Sequence, residues 1–210
     1  MNIMNKINKI NKLNKILYCI RHGQAQHNVN YLTYGSQTFY DSKYIDTRLT
    51  FVGISESIEL RNTWSDLNKI ELVITSPLFR ALQTTTNLFK NRLLDVPILS
   101  LECVREFPNS KQTCNKRSNK SELKRIFPYI NFENLKSEHD NIWNPNNEEN
   151  IEQLNLRITE FNNFLSTRKE KNICLIGHGS FIGHYKDNKI SLLDNGDKEL
   201  LHCHPYKINI

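Results

Sequence analysis

Arg21-His22-Gly23 directly follows the apolar run Ile16-Leu17-Tyr18-Cys19-Ile20, and three more short apolar runs are followed by residues of comparable reactivity. Glu71-Leu-Val-Ile-Thr75 leads into Ser76-Pro-Leu-Phe-Arg80, Val96–Leu101 leads into Arg105-Glu106, and Ile173-Cys-Leu-Ile-Gly177 leads into His178-Gly179. Together these residue types suit phosphoryl transfer. A neutral imidazole can attack phosphorus in line and carry the group as a phosphohistidine. Arginines clamp phosphoryl oxygens through paired N–H groups. Glycine lets the backbone approach an anion closely, and helix N-termini add further N–H donors. Glu106 is the carboxylate of the set. Burial or adjacent phosphate charge would raise its pKa, as a general acid near neutral pH requires.

The elements that must position these groups follow from periodicity. Each apolar run is short and bounded by polar or turn residues, the pattern of a buried strand. Thr50 to Asn68 reads as a helix with Val52, Ile58, Leu60, Trp64 and Leu67 as its apolar positions. Ser76 reads as an N-cap with Pro77 opening a helix that runs to Phe89. Ile151, Leu154, Ile158, Phe161 and Leu165 mark one face of an amphipathic helix, and a further helix is expected after Ser180. Strands alternating with helices imply an α/β domain, a three-layer sandwich whose mostly parallel central sheet is flanked by helices. In such a sheet ligands bind outside the carboxyl ends of the strands. Four strand ends would therefore bring the reactive residues to one edge. Phe107 to Asn147 is polar, carries Lys111, Lys116, Arg117, Lys120, Lys124 and Arg125, and has no long periodic face. It is expected to be a short cap insertion or a functional loop. No element is assigned after Gly183.

These motifs resemble the histidine phosphatase superfamily, whose fold is phosphoglycerate-mutase-like. Its R-H-G signature is matched by Arg21-His22-Gly23, with a phosphate-contacting asparagine at Asn28. Its D-x-x-L-T-x-x-G element is similar to Asp46-Thr-Arg-Leu49-Thr50-Phe-Val-Gly53, and its S-x-x-x-R-A-x-x-T element to Ser76-Pro-Leu-Phe-Arg80-Ala81-Leu-Gln-Thr84. The glutamate after the third strand matches Glu106, and the second histidine sits in Gly177-His178-Gly179. The resemblance runs from residue 16 to about 183. It implies His22 as nucleophile, Glu106 as proton donor, and Arg21, Asn28, Arg80 and His178 around the phosphoryl group. Arg48 departs from the family pattern, where proline or an uncharged residue is usual. The stretch after Arg105 does not resemble the glycolytic mutases and is closer to the small phosphatases. The implied activity is phosphomonoester hydrolysis without metal or cofactor on a small phosphorylated metabolite. The alternatives are phosphoglycerate-type mutase chemistry and a non-catalytic binding protein on the same fold. Lys111, Lys116 and Arg117, following Glu106 closely, are expected to favour polyanionic substrates.

The whole chain sets limits on these readings. Its 210 residues suit one domain over 16–210, with residues 1–15 as a low-complexity tail built on Asn-Lys-Ile/Leu and expected to be disordered. Lys and Arg total 28 against 22 Asp and Glu, and much of the excess lies in that tail, so no nucleic-acid partner is expected. The insertion also lacks the interleaved aromatic and basic residues of a nucleic-acid platform. No run is long enough for a membrane span, and no membrane partner is expected. Cys19, Cys103, Cys114, Cys174 and Cys203 form no CxxC pair and read as reduced thiols of an intracellular, cytoplasmic protein. Zinc on Cys19, His22 and His27, or on His202 and His204, would need ligand spacings the sequence does not offer. His27 is expected to be a loop residue near the site and not a second nucleophile, and His184, His202 and His204 to be satisfied or solvated histidines.

Overall fold

The computed structural model describes residues 15–188 and 200–210. Among the described residues five strands form one sheet in the order β3-β2-β4-β1-β5. They are β1 (Ile16–Arg21), β2 (Leu72–Thr75), β3 (Ile98–Ser100), β4 (Asn172–Gly177) and β5 (Pro205–Asn209). The first four are parallel, with Arg21 beside Gly177 and Thr75 beside Ile176. β5 runs antiparallel along the outer edge of β1. The described helices are α1 (Gln26–Tyr34), α2 (Phe51–Thr63), α3 (Phe79–Leu88), α4 (Lys120–Ile126), α5 (Ile151–Ser166) and α6 (Gly179–Asp187). None is long and apolar enough to cross a membrane.

Alternation along the strands explains the layers. Tyr18, Ile20, Val73, Ile98, Cys174 and Ile176 face one side and pack with Leu60 of α2 and Leu82 and Leu88 of α3. Leu17, Cys19, Leu72, Ile74, Ile173 and Leu175 face the other and meet Leu154, Phe161 and Leu165 of α5 and Phe181 of α6. A sheet buried on both faces reads as continuous apolar runs, and that is how these strands read. The expected α/β sandwich is present.

Several boundaries differ from the sequence reading. α2 stops at Thr63, and Phe51 and Val52 at its start are exposed, so Val52 is not a core position. α5 starts where periodicity placed it, because Asn150 caps it reciprocally with Gln153. α1 and β5 carry no strong pattern. α1 exposes Val29, Leu32 and Tyr34, and β5 buries only the Tyr206 and Ile208 side.

The insertion is less polar in structure than in sequence. Leu123, Phe127, Ile130, Phe132 and Leu135 join the core on the α3 side. Each such burial is worth about 1.5–3 kcal/mol before entropy. The Ser100 N–H donates to the Asn131 carbonyl at 2.9 Å and the Asn131 N–H to the Ile98 carbonyl at 2.8 Å, so this segment covers the open edge of β3. Of the expected tail, Lys15 alone is described. It is buried, and its ammonium donates to the carbonyls of Leu165 and Arg168 at the end of α5. Residues 1–14 lie outside the described residues.

Candidate active site

β1 ends at Arg21, and the chain turns sharply at His22-Gly23 against the first turn of α2. A Cβ on Gly23 would collide with the backbone of Gly53, and one on Gly53 with the backbone of Gln24. Both positions must be glycine for the loop to lie this close to the helix. The Gly23 N–H donates to Thr84 Oγ1 at 3.0 Å, and the Thr84 hydroxyl donates to the Arg80 carbonyl at 2.9 Å. This seats His22 beside α3. His22 Nδ1 lies 2.7 Å from the Gly23 carbonyl, which can only accept, so Nδ1 carries the proton. Nε2 is then the basic nitrogen, and Arg80 Nε donates to it at 3.1 Å. Burial first, then the charge of Arg80, holds the His22 pKa well below its ordinary value. At neutral pH the imidazole is unprotonated at the nitrogen a nucleophile uses.

Arg80 is fully buried on the first turn of α3. Its Nη1 donates to the Cys114 carbonyl at 2.7 Å and its Nη2 to Asn115 Oδ1 at 2.8 Å, so the early insertion closes over it. α3 begins two residues later than the Ser76-Pro77 signal implies, because its cap comes from elsewhere. Asp46 Oδ1 accepts the Phe79 N–H at 2.7 Å. Ser76 still accepts the Leu78 N–H, but its hydroxyl also lies 2.7 Å from His178 Nε2. His178 is fully buried, and its Nδ1 has no hydrogen-bond partner among the described residues. The His22 and His178 rings meet edge to face with centroids 5.1 Å apart. Burial, followed by Arg80, also lowers the His178 pKa well below the ordinary value.

Glu106 reaches the N-terminus of α6. Its carboxylate accepts the Phe181 N–H at 3.1 Å, the Ser180 N–H at 3.5 Å and the Phe107 N–H at 2.8 Å. Burial raises its pKa, while the Phe107 N–H and the charge of Arg80 pull it back. Arg21 packs against Gly179 at the same helix end and donates to the Leu200 carbonyl at 2.8 Å. Asn28 stands in the first turn of α1. Its Oδ1 accepts the Ala25 N–H at 2.9 Å, and its amide nitrogen lies 3.3 Å from His27 Nε2.

A family profile described as the histidine phosphatase superfamily (branch 1) matches residues 17–186. The chain belongs to the histidine phosphatase superfamily. Phosphoglycerate mutase-like protein 1 of Arabidopsis thaliana is 32% identical over 222 residues, spanning 90% of this chain and 73% of its own. YhfR of Bacillus stearothermophilus superposes with a TM-score of 0.60 at 20% identity, covering 93% of this chain and 91% of its own. A putative alpha-ribazole-5'-P phosphatase of Escherichia coli gives a TM-score of 0.55 at 21% identity, covering 82% and 77% of the two chains. The protein is thus a superfamily enzyme of the phosphatase or mutase-like kind.

In this superfamily member the expected residues Arg21, His22, Asn28, Arg80, Glu106 and His178 lie at the carboxyl end of the sheet. Of the insertion cations expected to meet substrate charge, Arg117 is spent elsewhere. Arg117 is buried with its guanidinium fully committed to Glu102 at 2.8 Å and to the carbonyls of Ser118, Ser137, Glu138 and His139, so it is structural. Lys111 pairs with Glu148 at 3.1 Å on the surface, and Lys116 lies over the Trp143 ring at 4.7 Å. Arg105 is bound by Asp140 through two N–H groups at 2.8 Å each, as a structural residue would be. Arg48 lies over the ring of the buried Phe79, 4.4 Å from its centroid.

Two further histidines stand beside His22, His27 near the site as expected and His202 against expectation. His202 donates from Nδ1 to the His22 carbonyl at 2.6 Å, with ring centroids 5.7 Å apart. His27 is buried, lies 6.2 Å from His22 between centroids and contacts Thr47 Oγ1 at 2.7 Å. His27 lies on α1 and not in the loop expected for it. His202 comes from a segment with no periodic signal. His184 and His204 stay outside the site, on Asn155 and Tyr206 respectively. Among the described residues no group of three or more His, Cys, Asp or Glu is arranged to hold a metal ion.

Proposed function

We propose that this protein hydrolyses the phosphomonoester of a small metabolite through a phosphohistidine at His22. The observation that carries the reading is the His22 tautomer, with Nδ1 tied to the Gly23 carbonyl and Nε2 facing Arg80. His22 Nε2 attacks phosphorus, the P–O bond to the leaving group breaks, and the Glu106 carboxyl proton goes to the departing oxygen. Arg80 Nε–H moves from the imidazole lone pair to a phosphoryl oxygen as substrate enters. Arg21, Asn28 and a proton on His178 Nδ1 complete the donor set. Water then attacks phosphorus, the N–P bond breaks, and Glu106 takes the proton from water. Inorganic phosphate leaves, and His22 is neutral again. Losing one such oriented donor costs about 3–4 kcal/mol, or about 10²–10³ in rate. The five free cysteines, all buried, support an intracellular setting.

The Arabidopsis relative's name favours a second reading, in which the phosphohistidine returns its phosphate to a bound product. One experiment separates the two. With labelled 3-phosphoglycerate and a labelled alkyl phosphate, without added metal, rapid quench is expected to trap an acid-labile, base-stable phosphoenzyme and to show phosphate released to water. His22→Ala is expected to lose both. A phosphoenzyme that persists in His22→Ala overturns the nucleophile. Rapid formation of 2-phosphoglycerate with negligible phosphate release overturns hydrolysis in favour of the mutase reading.

A further inference from the structure

Arg157 of α5 spends its guanidinium on the main chain that carries Glu106. Nη1 donates to the carbonyls of Cys103 at 2.9 Å and Arg105 at 2.8 Å, and Nη2 to that of Glu106 at 3.4 Å. Glu149 grips the other edge of the guanidinium, with Nε to Oε1 at 2.6 Å and Nη2 to Oε2 at 2.8 Å. The Arg157 and Glu149 side chains are 11% and 3% exposed. Glu149 also accepts the Asn109 N–H at 2.8 Å. The pair therefore clasps the chain on both sides of Glu106, at 103–106 and at 109.

A third contact links the same cation to the carboxylate's receptor. The Arg157 guanidinium lies 5.5 Å from the centroid of the Phe181 ring, and the Phe181 N–H is one of the donors to Glu106. One side chain thus restrains both the main chain from which Glu106 projects and the helix turn that receives it.

The chemistry of this position explains why it is arginine. The carbonyls of Cys103, Arg105 and Glu106 lie beyond β3, at and after the short 3-10 turn Glu102–Val104. They belong to no strand or α-helix that would pair them, and a carbonyl buried without a donor is costly. A planar fork with five N–H groups serves three carbonyls and a bidentate carboxylate together, which the single ammonium of lysine cannot do. A buried ion pair adds little net stability compared with a well-packed apolar pair. Its distinctive contribution here is directional. A general acid must stand within hydrogen-bond reach of the oxygen it protonates, and a displacement of about 1 Å costs about 10²-fold in rate.

We infer that Arg157, held by Glu149, is a positioning residue that aims Glu106 at the leaving-group oxygen; this rests on the reading of Glu106 as proton donor. Arg157→Lys, Glu149→Gln and Glu106→Gln are compared by kcat/KM on an alkyl phosphate and on p-nitrophenyl phosphate, whose leaving group needs little protonation. Arg157→Lys is expected to lose about 10²-fold on the alkyl ester and at least about tenfold less on the nitrophenyl ester. Glu149→Gln, which keeps the shape and one acceptor, should show the same preference at smaller size, and it carries the comparison if Arg157→Lys does not fold. Adding Arg157→Lys to Glu106→Gln should cost no more than about twofold further, because the two act through one group. Equal losses on both esters in the Arg157 and Glu149 variants, or full additivity with Glu106→Gln, overturns the inference while Glu106 stands. If Glu106→Gln itself shows no ester preference, the proton-donor reading falls first and takes the inference with it.

Discussion

Glu106 sits between opposing influences that are each local. Removal from water raises its pKa, and the Phe107 and Phe181 N–H groups and two arginines lower it again, with burial the larger effect. The proposed proton donor works in its protonated form. Its contribution is therefore present below the raised pKa and lost as pH climbs through it. The kcat/KM of an alkyl phosphate is expected to fall along that limb, and Glu106→Gln should remove the limb as well as lower the rate. A pH profile of the variant that retains the limb would assign it to another group. His22 shows the converse balance. Burial and Arg80 keep it neutral well below its ordinary pKa, so its readiness does not depend on small changes near pH 7.

At the scale of elements, the site depends on how α3 begins. Leu78, at the N-cap position, provides no side-chain acceptor, and the role passes to Asp46 from a distant loop. Asp46 is buried at φ 45°, and its second oxygen accepts the Ser118 N–H at 2.7 Å. One carboxylate thus joins the start of the Arg80 helix to the insertion that closes over Arg80. Asn tolerates the left-handed backbone, so Asp46→Asn alters the acceptors with little added strain. It must turn an NH₂ toward one of the two N–H groups, and a loss of about 1–3 kcal/mol in urea unfolding is expected. A lower kcat/KM should accompany it through Arg80. An unchanged unfolding midpoint would mean that the clamp is dispensable.

The whole molecule buries its site along with its core, and that has a price in acid. His22, His27 and His178 all have pKa values held well below 6.5, chiefly by burial. The unfolded chain takes up a proton at each near pH 6.5, and the folded chain does not. Each histidine therefore costs stability as pH falls below 6.5, by up to about 1.4 kcal/mol per pH unit, until its folded pKa is reached. Asp46, Glu56 and Glu106 act the opposite way over the range where their raised pKa values keep protons in the folded form. A variant isolates one contribution from the sum. His27→Gln is expected to flatten the dependence of unfolding free energy on pH between 6.5 and 5.5 by up to that amount, measured in urea. Parallel curves for the two proteins would show that His27 is not held neutral by the fold.

Four short apolar runs ending in chemically distinctive residues were enough to read a parallel α/β sheet and the strand ends that carry Arg21, His22, Arg80, Glu106 and His178. That information is local, since a strand buried on both faces is apolar throughout and must end where polar residues begin. The Asn150 cap likewise announces α5 from within its own segment. Other features depend on partners remote in sequence. The start of α3 was misread because Asp46 replaces Ser76 as its cap, across more than thirty residues. Arg117 looked like a free cation because the carbonyls and the Glu102 carboxylate that absorb it meet only after folding. The insertion looked polar throughout because its apolar residues follow no helical or strand period, yet they close the edge of β3. His202 arrives at His22 through the pairing of a late segment beside β1, and its neighbours in sequence carry no pattern that foretells it. Hydrophobic period and end residues are properties of one segment. Which buried donor meets which acceptor is decided by the packing of all of them.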